Sequence, residues 1–298
     1  MKEIVQLQHV TRYFGAKKAL SDVSLSFSEG LVVGLVGENG AGKTTLIKHV
    51  LGLLRPQSGT VSVFGVDPAK EPVKVLSQIG YLSEETDIPG WMRIQDLMTY
   101  SESFYPTWDA EYARQLMQQF NLDPSSMLSK VSKGQRSRAG LVAAMAFRPA
   151  LLVLDEPSSG LDPIVRKDIL GAIIRTIAEE GRTVLFSSHL LSEVERVSDY
   201  LAMLRNGELV LSDTLERIKQ NHSRVLIRFL EAQGEAPQLP GFLLWDGRGT
   251  EWSALSFLEP AELDQALASH GASLLQKNAL SLDEIFTAMS GARQGVSE

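Results

Sequence analysis

The chain has 298 residues, 44% of them hydrophobic, and a formal net charge of −7. That is enough apolar material for one large core and a smaller one, and the acidic balance argues against general affinity for nucleic acid, a local basic patch aside. No apolar run approaches the ~18 residues needed to cross a bilayer. The start, Met1-Lys2-Glu3-Ile4-Val5, has no signal-peptide core, and the lack of cysteine removes any disulfide framework, so the chain is expected to be made and folded in the cytoplasm.

The first thirty residues read as short β segments, Ile4 to Leu7 and then Ala19 to Phe27, where Val23, Leu25 and Phe27 alternate with polar residues. Leu31 to Val36 is an apolar run that reads as a buried strand. It leads into GENGAGKTT, Gly37 to Thr45, which fits the phosphate-loop pattern G-x-x-x-x-G-K-[ST], and a helix-compatible segment, Thr45 to Leu51, leads out. Strand, glycine loop and helix are the context that motif needs. The glycines let backbone N–H groups turn inward around an anion, and the helix offers its positive end. Gly37, Asn39, Gly40, Ala41, Gly42, Lys43, Thr44 and Thr45 are therefore candidates for holding a nucleoside triphosphate, with Lys43 on the β- and γ-phosphates and the Thr44 hydroxyl on Mg²⁺.

Gly59 to Val63 and Ile79 to Leu82 read as further short strands. From Trp91 to Phe147 the apolar spacing turns helical, through Leu97, Tyr100 and Phe104 and then Tyr112, Leu116, Met117 and Phe120, with a break at Asn121 to Ser125. This predicts a helical insert of roughly 60 residues, about 88–149, inside an α/β domain. Alternation then returns: a strand at Leu151 to Leu154, an amphipathic helix from Ile164 to Ala178, a strand at Thr183 to Phe186, and a hairpin from Tyr200 to Leu211 around Asn206-Gly207, a type I′ signal. The sheet is expected to be mostly parallel and covered.

The character shifts near Gln220. Residues 222 to 298 carry ten acidic and five basic side chains. Arg224 to Leu230, Phe242 to Trp245 and Trp252 to Leu258 read as strands, and Pro260 to Ser269 and Ser281 to Met289 as helices, the second with Ser281 and Glu284 as a capping box. The expected organisation is an α/β phosphate-loop domain over residues 1–220 and a small α+β domain over 221–298.

Further chemistry follows the strand at Leu151. It ends in Asp155-Glu156, and in a phosphate-loop fold this strand is expected to lie beside the one delivering Gly37. Asp155 would then hold Mg²⁺ and Glu156 would polarise a water for attack on the γ-phosphate; the alternative is an ordinary acidic turn. Downstream come Ser158-Ser159-Gly160-Leu161-Asp162 and Ser187-Ser188-His189, and a lone histidine after a strand is more often structural than catalytic. His9, His49, His222 and His270 are read as structural. Upstream, Val131-Ser132-Lys133-Gly134-Gln135 opens a helical run, Arg136 to Phe147, a second anion-binding geometry.

Taken together and in this order, the five motifs resemble those of the nucleotide-binding subunit of an ATP-binding-cassette (ABC) transporter, over roughly residues 1 to 220. GENGAGKTT matches that family's phosphate loop, LLVLDEP its Mg²⁺ and catalytic-glutamate segment, SSGLD its D-loop, Ser187-Ser188-His189 its switch histidine and VSKGQ its signature, usually LSGGQ. The resemblance implies an ATPase with ATP and Mg²⁺ as its small molecules, and a head-to-tail pair in which Ser132, Gly134 and Gln135 of one subunit cover ATP on the other's phosphate loop. Glu156, His189 and Lys43 would be catalytic, His189 would meet the γ-phosphate, and Asp162 would report across the interface. Thr44 and Asp155 would hold the metal.

Three positions depart from the pattern. Lys133 replaces the first signature glycine and is expected to lean outward. Glu84 stands at the Q-loop glutamine, where it is either a further oxygen for Mg²⁺ or the attacking water, or a solvated loop acid. Phe14 aligns with the adenine-stacking aromatic, with Tyr13 or a core role as alternatives. The implied partners are transmembrane permease subunits and a second ATPase subunit, identical or not, with membrane contact only through the permease at its cytoplasmic face. Ser281 to Phe286 is similar to the closing helix of ATPases that serve multidrug, lipid or antibiotic exporters. A soluble ABC ATPase with a translation-, DNA- or regulation-related role is the alternative.

Overall fold

The computed structural model describes residues 2–84, 88–167, 169–171 and 181–291. The chain divides into two compact units, Met1–Ser212 and Asp213–Glu298.

The first unit is built on two sheets. β1 (Glu3–Phe14), β2 (Lys17–Ser28) and β4 (Ser58–Val63) form an antiparallel sheet in the order β2-β1-β4. The second has six strands among the described residues, β5 (Ile79–Leu82), β6 (Leu151–Leu154), β7 (Thr183–Ser188), β3 (Val32–Val36), β8 (Tyr200–Arg205) and β9 (Glu208–Thr214), in that order. From β5 to β8 the pairing is parallel throughout. β3, β6 and β7 are buried along their whole length, as the unbroken apolar runs predicted. The turn between β8 and β9 has positive φ at both Asn206 (49°) and Gly207 (80°), as a type I′ turn requires. The helix Lys43–Val50 shares one core with both sheets: Leu46 and Ile47 are fully buried beside Val5, Leu20, Val33 and Leu185. Each such side chain contributes about 2 kcal/mol of transfer free energy.

The helical insert comprises Ile94–Glu102, Ala110–Gln119 and Lys133–Met145. Leu97, Leu116, Met117 and Phe120 are buried, as their spacing predicted, but Tyr100 and Phe104 are exposed and pack on each other edge to face at 5.0 Å. Helix Ile94–Glu102 stops before Phe104, so the apolar stripe runs on past the helix. The helix expected over 164–178 lies largely outside the described residues; 163–167 and 169–171 are helical.

In the second unit, β10 (Ser223–Gln233), β11 (Phe242–Ser256) and β12 (Ala272–Ala279) pair antiparallel in the order β11-β10-β12. The helix Leu215–Asn221 precedes β10, Pro260–Ser269 packs Leu263 and Leu267 against Val225, Ile227 and Trp252, and Leu282–Gly291 follows β12. The two strands expected at 242–245 and 252–258 are one strand. Positive φ at Leu244, Gly247 and Gly249 bends it without ending it. The Ser281/Glu284 capping box is present in both directions, at 3.3 and 2.9 Å. Among the described residues, no helix is long and apolar enough to cross a membrane.

Candidate active site

β3 delivers the phosphate loop to the edge of a cavity of about 340 Å³. The loop needs its glycines. A Cβ on Gly37 (φ 155°) would sit 2.3 Å from the Leu204 carbonyl oxygen, and one on Gly42 (φ 111°) 2.6 Å from that of Ala19. Gly42 is the N-cap of Lys43–Val50 and has no side chain to cap it, and the first intrahelical bond runs from Leu46 N to Gly42 O. The N–H groups of Lys43, Thr44 and Thr45 thus have no acceptor within the helix, which leaves a pole for an anion. Gly40, Gly42, Lys43, Thr44, Thr45 and Asn39 line the cavity, and Ala41 is buried behind it.

Lys43 is almost fully buried. Its ammonium donates to the Gly37 carbonyl (2.6 Å) and the Glu38 carbonyl (3.3 Å) and lies 2.9 Å from Glu156 Oε1. That approach is ionic and not along a hydrogen-bond direction. The other Glu156 oxygen, Oε2, is 2.7 Å from His189 Nδ1. Glu156 is therefore gripped at both ends, and its backbone sits at φ 47°, a strained position for a non-glycine residue.

One expectation is corrected. β6, which leads into Asp155, does not neighbour β3; β7 lies between them. The link is made by Ser187 of β7, whose hydroxyl donates to Asp155 Oδ1 (2.7 Å) and accepts from Glu156 N (2.8 Å). The intervening strand brings His189 to the site, as direct β6–β3 pairing would not. Burial raises the Asp155 carboxyl above its ordinary range, against hydrogen bonds from Ser187 and Thr44, while the carboxylates of Glu156 and Glu84 add to the rise. A buried carboxylate bonded to the Thr44 hydroxyl is an oxygen-only donor pair. It suits Mg²⁺, which takes one or two carboxylates plus phosphate and water in preference to a complete protein cage. Among the described residues there is no such cage of His, Asp and Glu.

Glu84 lines the cavity and its Oε1 accepts from Ser159 Oγ at 3.0 Å. Phe14 also lines it, half exposed, with Arg12 5.0 Å from the ring centroid; Tyr13 does not line it. Lys17, which belongs to none of the sequence motifs, lines the same cavity.

The other sequence-predicted residues lie elsewhere. Ser132 is the N-cap of Lys133–Met145, accepting from Gln135 N while Gln135 Oε1 accepts from Ser132 N, both at 3.2 Å. Gly134 permits close packing: a Cβ there would meet Val165 Cγ2 at 2.8 Å. None of Ser132, Gly134 and Gln135 lines the cavity. Lys133 does not lean outward, since its ammonium donates to the Ser159 carbonyl at 2.8 Å. Asp162 Oδ1 accepts from Ile164 N and Val165 N, both at 3.0 Å, and these bonds, that to Val165 foremost, hold its carboxyl below the usual range.

Parallel sheet, uncapped glycine loop, buried lysine and paired carboxylates define a phosphate-loop nucleotide-binding protein. Comparison with known proteins narrows this. The ABC transporter family model matches residues 20–159. The ABC transporter ATP-binding protein YtrB of Bacillus subtilis is 26% identical over 98% of this chain and 99% of its own length. The bacitracin transport ATP-binding protein BcrA of Bacillus licheniformis is 29% identical over 79% of this chain and 78% of its own. A solved structure of an ATP-binding subunit of an ABC transporter superposes with a TM-score of 0.67 at 31% identity, covering 72% of this chain and 92% of that one. The chain belongs to the ABC transporter family, as an ATP-binding and ATP-hydrolysing subunit.

Proposed function

We propose that this subunit powers a separate transmembrane permease of exporter type from the cytoplasmic face. In this reading it pairs head to tail with a second copy of itself around ATP. The observation that carries the catalytic part is the double grip on Glu156, by Lys43 at Oε1 and His189 at Oε2. The Lys43 ammonium is paired with Glu156 Oε1 at 2.9 Å. An arriving γ-phosphate is a stronger partner for the ammonium, so Lys43 turns to phosphate and frees Oε1. Glu156, still oriented by His189, is then a base facing the water that attacks the γ-phosphate. The uncapped N–H groups of Lys43 to Thr45 take up the phosphate charge, and Phe14 offers a ring face for adenine. Thr44 and Asp155, with Glu84 at the rim, would hold Mg²⁺, which when bound neutralises charge on the phosphates. Ser132, Gly134 and Gln135 serve the partner's nucleotide, His189 also reaches the γ-phosphate, and Asp162 lies on the pairing face.

The permease reading is supported by an apolar groove of about 430 Å³ that includes Leu51, Leu53, Leu76, Tyr81, Leu97 and Tyr105. Next to it Val73, Tyr100 and Phe104 are exposed, an apolar surface of the kind that marks a protein interface. Exporter type is supported by the likeness to a bacitracin transport protein and by the capped helix after Ser281. The test is Glu156→Gln. Hydrolysis should fall by at least about a hundredfold while ATP still binds and ATP-dependent pairs accumulate. Unchanged turnover would remove Glu156 from the mechanism.

A further inference from the structure

The carboxylate of Glu193 takes no part in the chemistry above, yet the loop after β6 and the end of β7 meet on it. Its Oε2 accepts from Ser158 Oγ at 2.7 Å and from Ser188 Oγ at 3.1 Å, and its Oε1 lies 3.1 Å from Arg166 Nε. Ser158 stands two residues after Glu156, and Ser188 immediately precedes His189. Glu193, Ser158 and Ser188 are all buried. A carboxylate in that position is costly unless paired and hydrogen-bonded, and here it has both kinds of partner.

The local geometry explains why this carboxylate reaches across. Glu193 is the third residue of the helix Leu191–Val197, where a glutamate ordinarily folds back onto the N-cap residue. The N-cap here is Leu190, whose apolar side chain cannot reciprocate; its N–H is satisfied by Ser188 Oγ at 3.0 Å. The helix itself is seated hard on β3. A Cβ on Gly34 would fall 2.3 Å from Val194 Cγ1 and 2.6 Å from Ser198 Oγ. Glu193 is thus carried on a platform that rests on the strand feeding the phosphate loop. The strained φ of Glu156 also calls for such a platform, because strain of this kind persists only where the surroundings over-determine it.

We propose that Glu193 is a positioning residue for ATP hydrolysis. It ties the loop after Glu156 and the end of β7 before His189 to one frame fixed on β3, and so holds the Glu156–His189 pair against Lys43. This rests on the roles given above to Glu156 and His189.

The test compares Glu193→Gln, Ser188→Ala and Glu156→Gln by steady-state hydrolysis, binding of a fluorescent ATP analogue and thermal melting. Glutamine keeps the shape of Glu193 but must turn its amide nitrogen either to Arg166 or to the two hydroxyls. The expected result for Glu193→Gln is a kcat lower by about tenfold at temperatures well below melting, with KM and nucleotide affinity within about twofold. Ser188→Ala should move kcat the same way, by about threefold. Unchanged kcat in both variants, or a loss of affinity that matches the loss of kcat, overturns the proposal. If Glu193→Gln does not fold, Ser188→Ala decides alone. Full turnover in Glu156→Gln would instead bring down the reading on which the proposal rests.

Discussion

Two helices of this chain carry a glycine at or next to their first turn, Gly42 and Gly134, and their N-termini are finished differently. Lys43–Val50 begins at Gly42 with no side-chain cap, next to a cavity and a buried ammonium. Lys133–Met145 begins at Ser132 with a closed capping box, Ser132 to Gln135 and back, and with Lys133 tethered to Ser159. The first end is unsatisfied and ready for phosphate. The second is closed by its own side chains. In the proposed reading the first end binds nucleotide alone, and the second acts only in a closed pair, where the phosphate charge would outweigh a neutral cap.

The largest effect that could break this comparison is expected from the glycines. Gly42→Ala places a Cβ 2.6 Å from the Ala19 carbonyl at φ 111°. It should cost about 2 kcal/mol or more and abolish nucleotide binding. Gly134→Ala meets only the Val165 side chain, at 2.8 Å. It should cost a comparable or smaller ~1–3 kcal/mol by overpacking, with ATP affinity of the single chain unchanged. Equilibrium binding of an ATP analogue to the two variants distinguishes these outcomes, and equal losses would erase the distinction. Ser132→Ala removes the cap and should cost about 1 kcal/mol, seen as a melting shift of about 2–4 °C, again without weakening ATP binding to the single chain.

The open helix also holds His49, fully buried with Nδ1 2.7 Å from the Thr45 carbonyl oxygen. Burial lowers its pKa below the ordinary 6.5, the Thr45 bond works the other way, and Arg12 adds to the lowering. His222 in the second unit is lowered by burial too. As pH falls below about 6.5, the unfolded chain takes up protons that the folded chain resists, so stability is full above that pH and is lost on acidification. The urea midpoint should drop between pH 7.5 and 5.5, and His49→Gln should reduce that drop; a midpoint that rises would contradict the assignment. Lys133→Ala is the smallest change, within about 0.5 kcal/mol because its bond to Ser159 is exposed. A large melting shift would show the tether to be structural.

The parts of the fold that are legible in the sequence are those built locally. The phosphate loop, the buried strands around it, the Asn206-Gly207 turn and the Ser281/Glu284 box each depend on neighbours within a few positions. What escaped depends on contacts across the fold. Ser187 reaches Asp155 over 32 positions and Glu193 reaches Ser158 over 35, so no spacing rule links them. The order β6-β7-β3 is a tertiary fact of the same kind. β12 was missed because almost all of its residues are exposed, which leaves no alternation to see. β11 was split because glycines at 247 and 249 look like a turn when they only bend a strand.

The central claim is that each nucleotide site is shared between two chains, and mixing two inactive variants tests it most directly. Lys43→Ala removes the ammonium that the phosphate loop needs and keeps the signature helix; Ser132→Arg blocks the signature helix and keeps the phosphate loop. Each should be inactive alone. Mixed, they should recover ATP hydrolysis, because the heteromeric pair contains one intact phosphate loop facing one intact signature. A mixture no more active than its two components would contradict the shared site.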